Sequence, residues 1–381
     1  MRVVMMIQNF FPVIGGAEKQ ALELSAGLAA RGNSVDVLTM SQPGSPKTEQ
    51  IRGVSVLRLF TFGTGLFRAL VFAFMSAVRL VLSSHRYDVL HVHLASSHSI
   101  FPAVWGRLAG KRVVVKLGGG FGIGELALSR RSWFGRIKIR ILGWARPDFI
   151  VVNEEQREEL RRSGLSDANV AFIPNGVDLT RFHPVPLEEK QRMRRKLAMD
   201  GLIFLFVGRF AADKLRLDIF ERFVEAWSHV RKTAGDISLI MVGQGPLEAD
   251  YKRMIARLNL ESSIIFTGPT QKVDEFMRAA DVFVLPSITE GLSNALLEAL
   301  GCGLAVCGSR VSGIVDIVHE GKQGFLFDPM SSEDIERALS LILNGRGRLE
   351  EMKPACVETA RRYSIDRTVE KTLALYQGEA A

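Results

Sequence analysis

The chain has 381 residues, more than one hydrophobic core usually serves, so two domains of about 180 residues each are expected. Its 47% hydrophobic and 24% charged residues exclude a disordered or fibrous chain; three cysteines with neither CxxC spacing nor a histidine cluster exclude structural zinc and a disulfide framework, and fit a reducing, cytoplasmic compartment. The formal net charge of +8 belongs to the first half, where residues 1–180 carry 22 Lys and Arg against 13 Asp and Glu; without a nucleic-acid recognition motif, this excess does not point to nucleic acid.

From the N terminus, Met1-Arg2-Val3-Val4-Met5-Met6-Ile7 is an apolar run that meets Gln8-Asn9 too soon for a signal peptide and reads as a first strand. Phe11-Pro12-Val13-Ile14-Gly15-Gly16-Ala17-Glu18 makes a glycine turn into a helix over Ala17 to Arg31. A second strand follows at Val35-Asp36-Val37-Leu38-Thr39, completing a βαβ unit with a parallel sheet. The turn lacks GxGxxG and by itself is an ordinary strand-to-helix connection, although a backbone N–H at Gly16 can touch a phosphate. The most apolar stretch is Leu66 to Leu82. There Arg68 and Arg79 leave about ten uncharged residues, roughly half a membrane span, so a transmembrane helix is not expected and a buried or interfacial one stays open.

Further strands at 88–93, 112–116 and 149–152 alternate with helical stretches, as a doubly wound sheet requires. His91 and His93 close the first of these and are expected on alternate faces, at most one toward a given side. His93 is the nearer of the two to the strand's end, and an ordinary packing role is the plainer reading. The next strand runs into Lys116-Leu117-Gly118-Gly119-Gly120-Phe121-Gly122-Ile123-Gly124, a glycine-rich run with a flexible backbone expected. Arg130 to Arg146 then carry six basic residues, no acid, and Trp133 and Trp144. That mixture suits an anionic membrane surface or a phosphate-bearing acceptor; a solvated positive helix is the plainer alternative.

Phe182-His183-Pro184-Val185-Pro186 marks a hinge, after which strands at 202–207, 237–242, 263–267, 281–285 and 304–307 alternate with helices in a second Rossmann-like series. Phe206-Val207-Gly208-Arg209-Phe210-Ala211-Ala212-Asp213-Lys214 is a buried strand opening into a glycine turn with two cations five apart. Arg209 can grip phosphate oxygens bidentately and Lys214 can add a point charge, neutralising a diphosphate leaving group without a metal. The densest signal is Pro286 to Gly303. Glu290 precedes a helix that contains Glu298, Ser293 or Asn294 suits its N-cap, and the N–H groups at 292–295 suit a phosphate. A glycine at 291 lets the backbone approach a ligand. The two carboxylates can accept hydrogen bonds from sugar and ribose hydroxyls; a loop cap and a solvated helix residue is the competing reading. The final helix, Asp366 to Tyr376, can pack on either domain by periodicity alone.

Taken together, Gly15-Gly16, Ile173-Pro174-Asn175-Gly176-Val177-Asp178, Val207-Gly208-Arg209, Val242-Gly243-Gln244-Gly245-Pro246, Ala280 to Ser287 and the Glu290–Glu298 segment resemble glycosyltransferase family 4, and cover nearly the whole chain. The resemblance implies a GT-B fold, two Rossmann-like domains facing across a cleft, over 1–182 plus about 364–381 and over 183–363. It implies a retaining, metal-independent hexosyltransferase with no cofactor. The donor would be a UDP-, GDP- or ADP-sugar and the acceptor a saccharide or lipid-linked saccharide, in cell-surface polysaccharide or glycolipid assembly on the cytoplasmic side of the membrane. Arg209 and Lys214 would bind the diphosphate, with Gly16 meeting it from the first domain. Glu290 would bind the sugar, Glu298 the ribose, and Gly291, Leu292, Ser293 and Asn294 would present N–H groups; Glu290, Arg209 and Lys214 form the implied catalytic set.

Two positions depart from the family pattern. Leu215 stands where many relatives have glycine after the lysine, and no histidine ends the strand at Val113-Val114-Val115, where many relatives place one against the donor sugar. Transfer of the acceptor's proton to a departing phosphate oxygen makes that absence tolerable, and His93 with the flexible backbone around Gly118 and Gly119 is then expected on the acceptor side. A phosphorylase of the same fold, and a non-catalytic sugar- or membrane-binding descendant, are the rival readings.

Overall fold

A computed structural model describes residues 1–13, 15–119, 124–165 and 170–379; Ile14 of the first glycine turn and Gly120, Phe121, Gly122 and Ile123 of the glycine-rich run lie outside the described residues. The chain divides into two compact units, Met1–Gly176 with Ile365–Ala381, and Val177–Ser364. Val177 and Phe182 go with the second unit because both are buried in its core, so the division falls nearer Gly176 than the prolines indicate.

In the first unit, β1 (Arg2–Met6), α1 (Gly16–Ala30), β2 (Ser34–Met40), β3 (Thr48–Ile51), β4 (Val54–Leu59), α2 (Gly65–Leu82), β5 (Val89–His93), α3 (Ile100–Leu108), β6 (Arg112–Lys116), α4 (Glu125–Arg130), α5 (Trp133–Ala145), β7 (Asp148–Val151), α6 (Glu154–Arg162) and β8 (Val170–Phe172) follow in turn. The sheet order is β3-β4-β2-β1-β5-β6-β7-β8, parallel except for β3. β3 and β4 were not expected. They form a hairpin closed by Arg52 and Gly53, both with positive φ (50° and 80°), the left-handed pair that a two-residue type I′ turn requires.

α2, α3 and α5 bury Phe72, Leu80, Ala103, Ile139 and Leu142 on one face of this sheet. α1 covers the other. The last helix, α14 (Ile365–Gln377), lies beside it: Val369 fills the space over Gly27, where a Cβ would sit 2.6 Å from its Cγ2, and Thr368 Oγ1 donates to the Pro174 carbonyl at 3.2 Å.

The second unit comprises α7 (Leu187–Leu197), β9 (Leu202–Val207), α8 (Leu217–Ala234), β10 (Ile237–Val242), α9 (Glu248–Arg257), β11 (Ile264–Gly268), α10 (Val273–Ala279), β12 (Val282–Leu285), α11 (Asn294–Gly301), β13 (Ala305–Ser309), β14 (Gly324–Phe327), α12 (Ser332–Asn344) and α13 (Leu349–Arg362). Its all-parallel sheet has the order β11-β10-β9-β12-β13-β14. The chain starts in the middle, builds to one edge, then returns to build to the other. The order therefore reverses between β9 and β12, and the loops leaving these two neighbours diverge to opposite faces, opening a crevice at the carboxyl ends of the strands. The first unit reverses in the same way between β1 and β5.

Candidate functional site

Both segments singled out in the second unit leave the sheet at that reversal point. After β9 the backbone crosses the loop after β10: a Cβ on Gly243, at φ +143°, would stand 1.9 Å from the Gly208 carbonyl oxygen, so only glycine permits the approach. Phe210 is buried beyond the crossing, and its N–H donates to the Gln244 carbonyl at 3.0 Å. The departure at Leu215 has a packing reason. Its side chain is buried, its N–H donates to the Ala211 carbonyl at 2.9 Å, and its own carbonyl accepts from the Tyr251 hydroxyl, so the residue after Lys214 anchors the loop from below.

That anchoring leaves both cations on the open side. Arg209 is exposed and pairs with Asp213 at 2.5 Å. An exposed pair of this kind contributes about 0–1 kcal/mol, so a phosphate can displace it at little cost. Lys214 instead reaches the next loop, where its Nζ lies 3.0 Å from Glu290 Oε2. Glu290 is only 4% exposed, and its other oxygen accepts from Ser287 Oγ at 2.8 Å.

From behind, Gly313 supports this loop. At φ +76° it lies so close that a Cβ would meet the Gly291 carbonyl oxygen at 2.3 Å. Ser293 is the N-cap of α11, its Oγ accepting from the Leu296 N–H at 3.3 Å, and Glu298 is buried one turn into the helix. The structure thus joins Lys214, Glu290 and Ser287 directly, and puts Gly291, Leu292, Ser293 and Asn294 between Glu290 and Glu298 at a helix start. Asp213 and Ser287 were not singled out from the sequence; Ser287, three residues before a buried carboxylate at a strand end, was the detectable one. Among the described residues no group of three or more His, Cys, Asp or Glu could hold a metal ion.

In the first unit, Gly16 begins α1, and the Glu18 carboxylate folds back over the helix start, 2.1 Å from where a Gly15 Cβ would sit. At β5 the expectation of alternate faces is corrected. His91 and His93 are two residues apart, one full strand period, so their rings share a face and stack at 4.6 Å with planes 10° apart. His93 is 2% exposed and does not present its ring to solvent. Beside it in register is Lys116, also buried, whose Nζ donates to Asn175 Oδ1 at 2.8 Å; burial pulls its pKa down to about 8. Burial, helped by the Lys116 charge, lowers His91 to about 3, and burial with the charges of His91, Lys116 and His98 lowers His93 well below the usual imidazole value.

The described ends of the glycine-rich run are each held by a side chain. The Gly118 N–H donates to Glu125 at 3.2 Å, and the Gly119 carbonyl, at φ +74°, accepts from Gln156 Nε2 at 3.0 Å. In the basic stretch, Lys138 is not a surface residue. It is buried, donates to the Ala95 carbonyl at 2.6 Å, and has its pKa lowered to about 8 chiefly by burial.

Two family models match the chain in tandem, one described as Glycosyltransferase Family 4 over residues 14–181 and one as Glycosyl transferases group 1 over residues 188–362. Over 399 residues the chain is 28% identical to the D-inositol 3-phosphate glycosyltransferase of Geodermatophilus obscurus, covering 96% of this chain and 85% of that one. It is 26% identical over 303 residues to the UDP-Gal:alpha-D-GlcNAc-diphosphoundecaprenol alpha-1,3-galactosyltransferase of Escherichia coli, covering 78% of this chain and 76% of that one. The crystal structure of Anabaena HepE in complex with UDP and glucose shares the fold, with a TM-score of 0.78 at 17% identity over 99% of this chain and 100% of that one.

Proposed function

The chain belongs to glycosyltransferase family 4, with the two Rossmann-like units of the GT-B fold, and from that membership we propose that it is a retaining, metal-independent enzyme moving a sugar from a nucleotide diphosphate to a saccharide or lipid-linked saccharide. The observation that carries the reading is the half-exposed Lys214 ammonium held 3.0 Å from the buried Glu290 carboxylate, on two loops that leave the sheet side by side. Such a lysine is placed to move onto a diphosphate while Glu290 receives a sugar hydroxyl.

In this reading Arg209 exchanges Asp213 for a phosphate oxygen. Gly291, Leu292, Ser293 and Asn294 direct the α11 start at the sugar and phosphate, and Glu298 accepts from the ribose. Fixed cations and oriented N–H groups stabilise the charge that develops on the leaving group, which replaces a divalent metal in that role. The acceptor attacks from the face the diphosphate leaves, and its proton passes to a departing phosphate oxygen. Gly118 and Gly119 line the acceptor side; buried His93 supports that strand end.

The named substrates of the relatives make a UDP-sugar the first donor to test and a lipid-diphosphate saccharide the first acceptor class, which suits polysaccharide or glycolipid assembly at the cytoplasmic face of the membrane. Thermal-shift screening against UDP-, GDP- and ADP-sugars identifies the donor, because a ligand of the native state raises Tm. Turnover is then measured in chelator and the anomeric configuration of the product read by NMR. An absolute requirement for added divalent metal sinks metal independence, an inverted product sinks retention, and donor binding without transfer favours a non-catalytic descendant.

A further inference from the structure

One face of the first unit is apolar on its solvent side. α2 is the one described helix long and apolar enough to cross a bilayer, with a mean hydropathy of 1.8, yet it is seated on the sheet through the i, i+4, i+8 stripe of Phe72, Ser76 and Leu80. Its remaining faces are turned outward: Leu66 and Leu82 at the two ends are each 72% exposed, and Phe74 is 67% exposed. A water-facing helix normally carries charge opposite its buried stripe. α2 has only Arg68 and Arg79.

α3 and α5 share this face of the sheet, and α5 turns Trp133, Phe134, Ile137 and Trp144 outward. The three helices contain no Asp or Glu, and Arg136 and Arg140 stand exposed among the α5 aromatics. On the opposite face α1 and α14 carry acids and bases mixed. As crossovers in a parallel sheet, α2 and α5 both begin at the carboxyl edge of the strands. There Phe62 sits edge-on to Phe67 at 5.4 Å and Trp133 stacks on Phe134 at 3.6 Å.

We propose that α2 and α5 together form a docking face for an anionic lipid bilayer, in which α2 lies in the interface with its outward side chains among the acyl chains and the α5 arginines meet lipid phosphates. Exposed apolar surface of this kind, carried on helices that share one face of a sheet, marks an interaction site. The absence of acids chooses the occupant: a second copy would oppose two like-charged faces, whereas anionic headgroups complement both. Both helices begin at the edge from which Gly16 and Gly118 emerge, so a lipid-linked acceptor would arrive beside the strand ends. This last step rests on the transferase reading; the docking face does not.

The test is co-sedimentation of the full chain with phosphatidylcholine vesicles and with vesicles enriched in phosphatidylglycerol, with tryptophan quenching by brominated lipid. Expected are pelleting with the anionic vesicles, quenching, and loss of binding by about tenfold or more in Leu70→Glu/Phe74→Glu and separately in Arg136→Glu/Arg140→Glu. All four side chains are exposed or on helix surfaces, and a Tm shift with nucleotide shows that each variant is folded. Absence of pelleting while that shift persists overturns the docking face and leaves the donor reading intact. Pelleting unchanged in both variants overturns it as the wrong surface. A dimer in sedimentation velocity, dissociated by Leu70→Glu/Phe74→Glu and without vesicle binding, assigns the face to a second copy instead.

Discussion

Lys214 Nζ, on a side chain 41% exposed, stands 3.0 Å from Oε2 of Glu290, a carboxylate almost wholly buried. The asymmetry determines what each partner does. Glu290 is fixed by its partners inside the loop, while Lys214 can leave for another anion without stranding itself. In the proposed reading, an arriving diphosphate recruits the lysine while a sugar hydroxyl and Ser287 take over the carboxylate.

Lys214→Met is expected to lower kcat/KM by about 10²–10³-fold, the range for loss of one preorganised electrostatic contact to a leaving group. It also removes the charged partner of Glu290 and should destabilise the second unit by about 1–3 kcal/mol. Adding Glu290→Gln to that variant should restore most of the stability and none of the turnover, because an amide does not require the cation. Denaturant titration and initial rates on both variants measure the two effects separately.

Ser287→Ala removes the hydrogen bond at 2.8 Å to the other Glu290 oxygen, inside a buried pocket, so a stability loss of about 1.5–3 kcal/mol is expected. Glu290 keeps Lys214 but loses its orientation. The donor KM should therefore rise while Glu290→Gln affects kcat more severely. Equal kinetic losses in the two variants would reduce Ser287 to a packing residue.

Lys214 and Glu290 are 76 residues apart, and no spacing rule joins them; they meet because β9 and β12 are sheet neighbours. Runs such as Leu202–Val207 are legible because a strand buried on both faces has no polar positions. Thr48–Ile51 was invisible for the converse reason: it is a short edge strand, half exposed, with polar residues at three of four positions. Lys138 is concealed within a charge run, although it is three residues after buried Gly135 and four before buried Leu142, on the inward stripe of its helix. Strand period alone puts His91 and His93 on one face.

Those histidines give the first unit a predictable acid sensitivity. His91 is buried with its Nδ1 2.5 Å from the Tyr376 hydroxyl, beside His93 and Lys116, and is lowered to about 3. A histidine with a depressed folded pKa leaves the unfolded state with more bound protons. Stability from this group is full above the unfolded value near 6.5 and falls as pH drops toward 3. Replacing His91 by Asn should lower stability at neutral pH yet make its decline below about pH 6 shallower, by up to about 1.4 kcal/mol per pH unit. Denaturation at several pH values in that range checks the slope, and an unchanged slope would mean that His91 is protonated in the folded chain.

Gly313→Ala tests how much the Glu290 loop depends on its backing. At φ +76° any side chain costs about 1–2 kcal/mol of backbone strain, and here the new methyl would also stand 2.3 Å from the Gly291 carbonyl oxygen and 2.7 Å from that of Glu290. Neither backbone can yield without moving the carboxylate relative to Lys214. Gly321 supplies the control: its φ is +79° and a Cβ there meets nothing within 4 Å. Gly321→Ala should therefore lose the strain energy alone and keep its kinetics. Gly313→Ala should lose more stability than Gly321→Ala and drop kcat/KM by about 10²-fold, as a misplacement near 1 Å does to an aligned site. If the two variants turn over alike, the position of the 290–291 loop does not limit the reaction, and the assignment of Glu290 to the donor sugar fails with it.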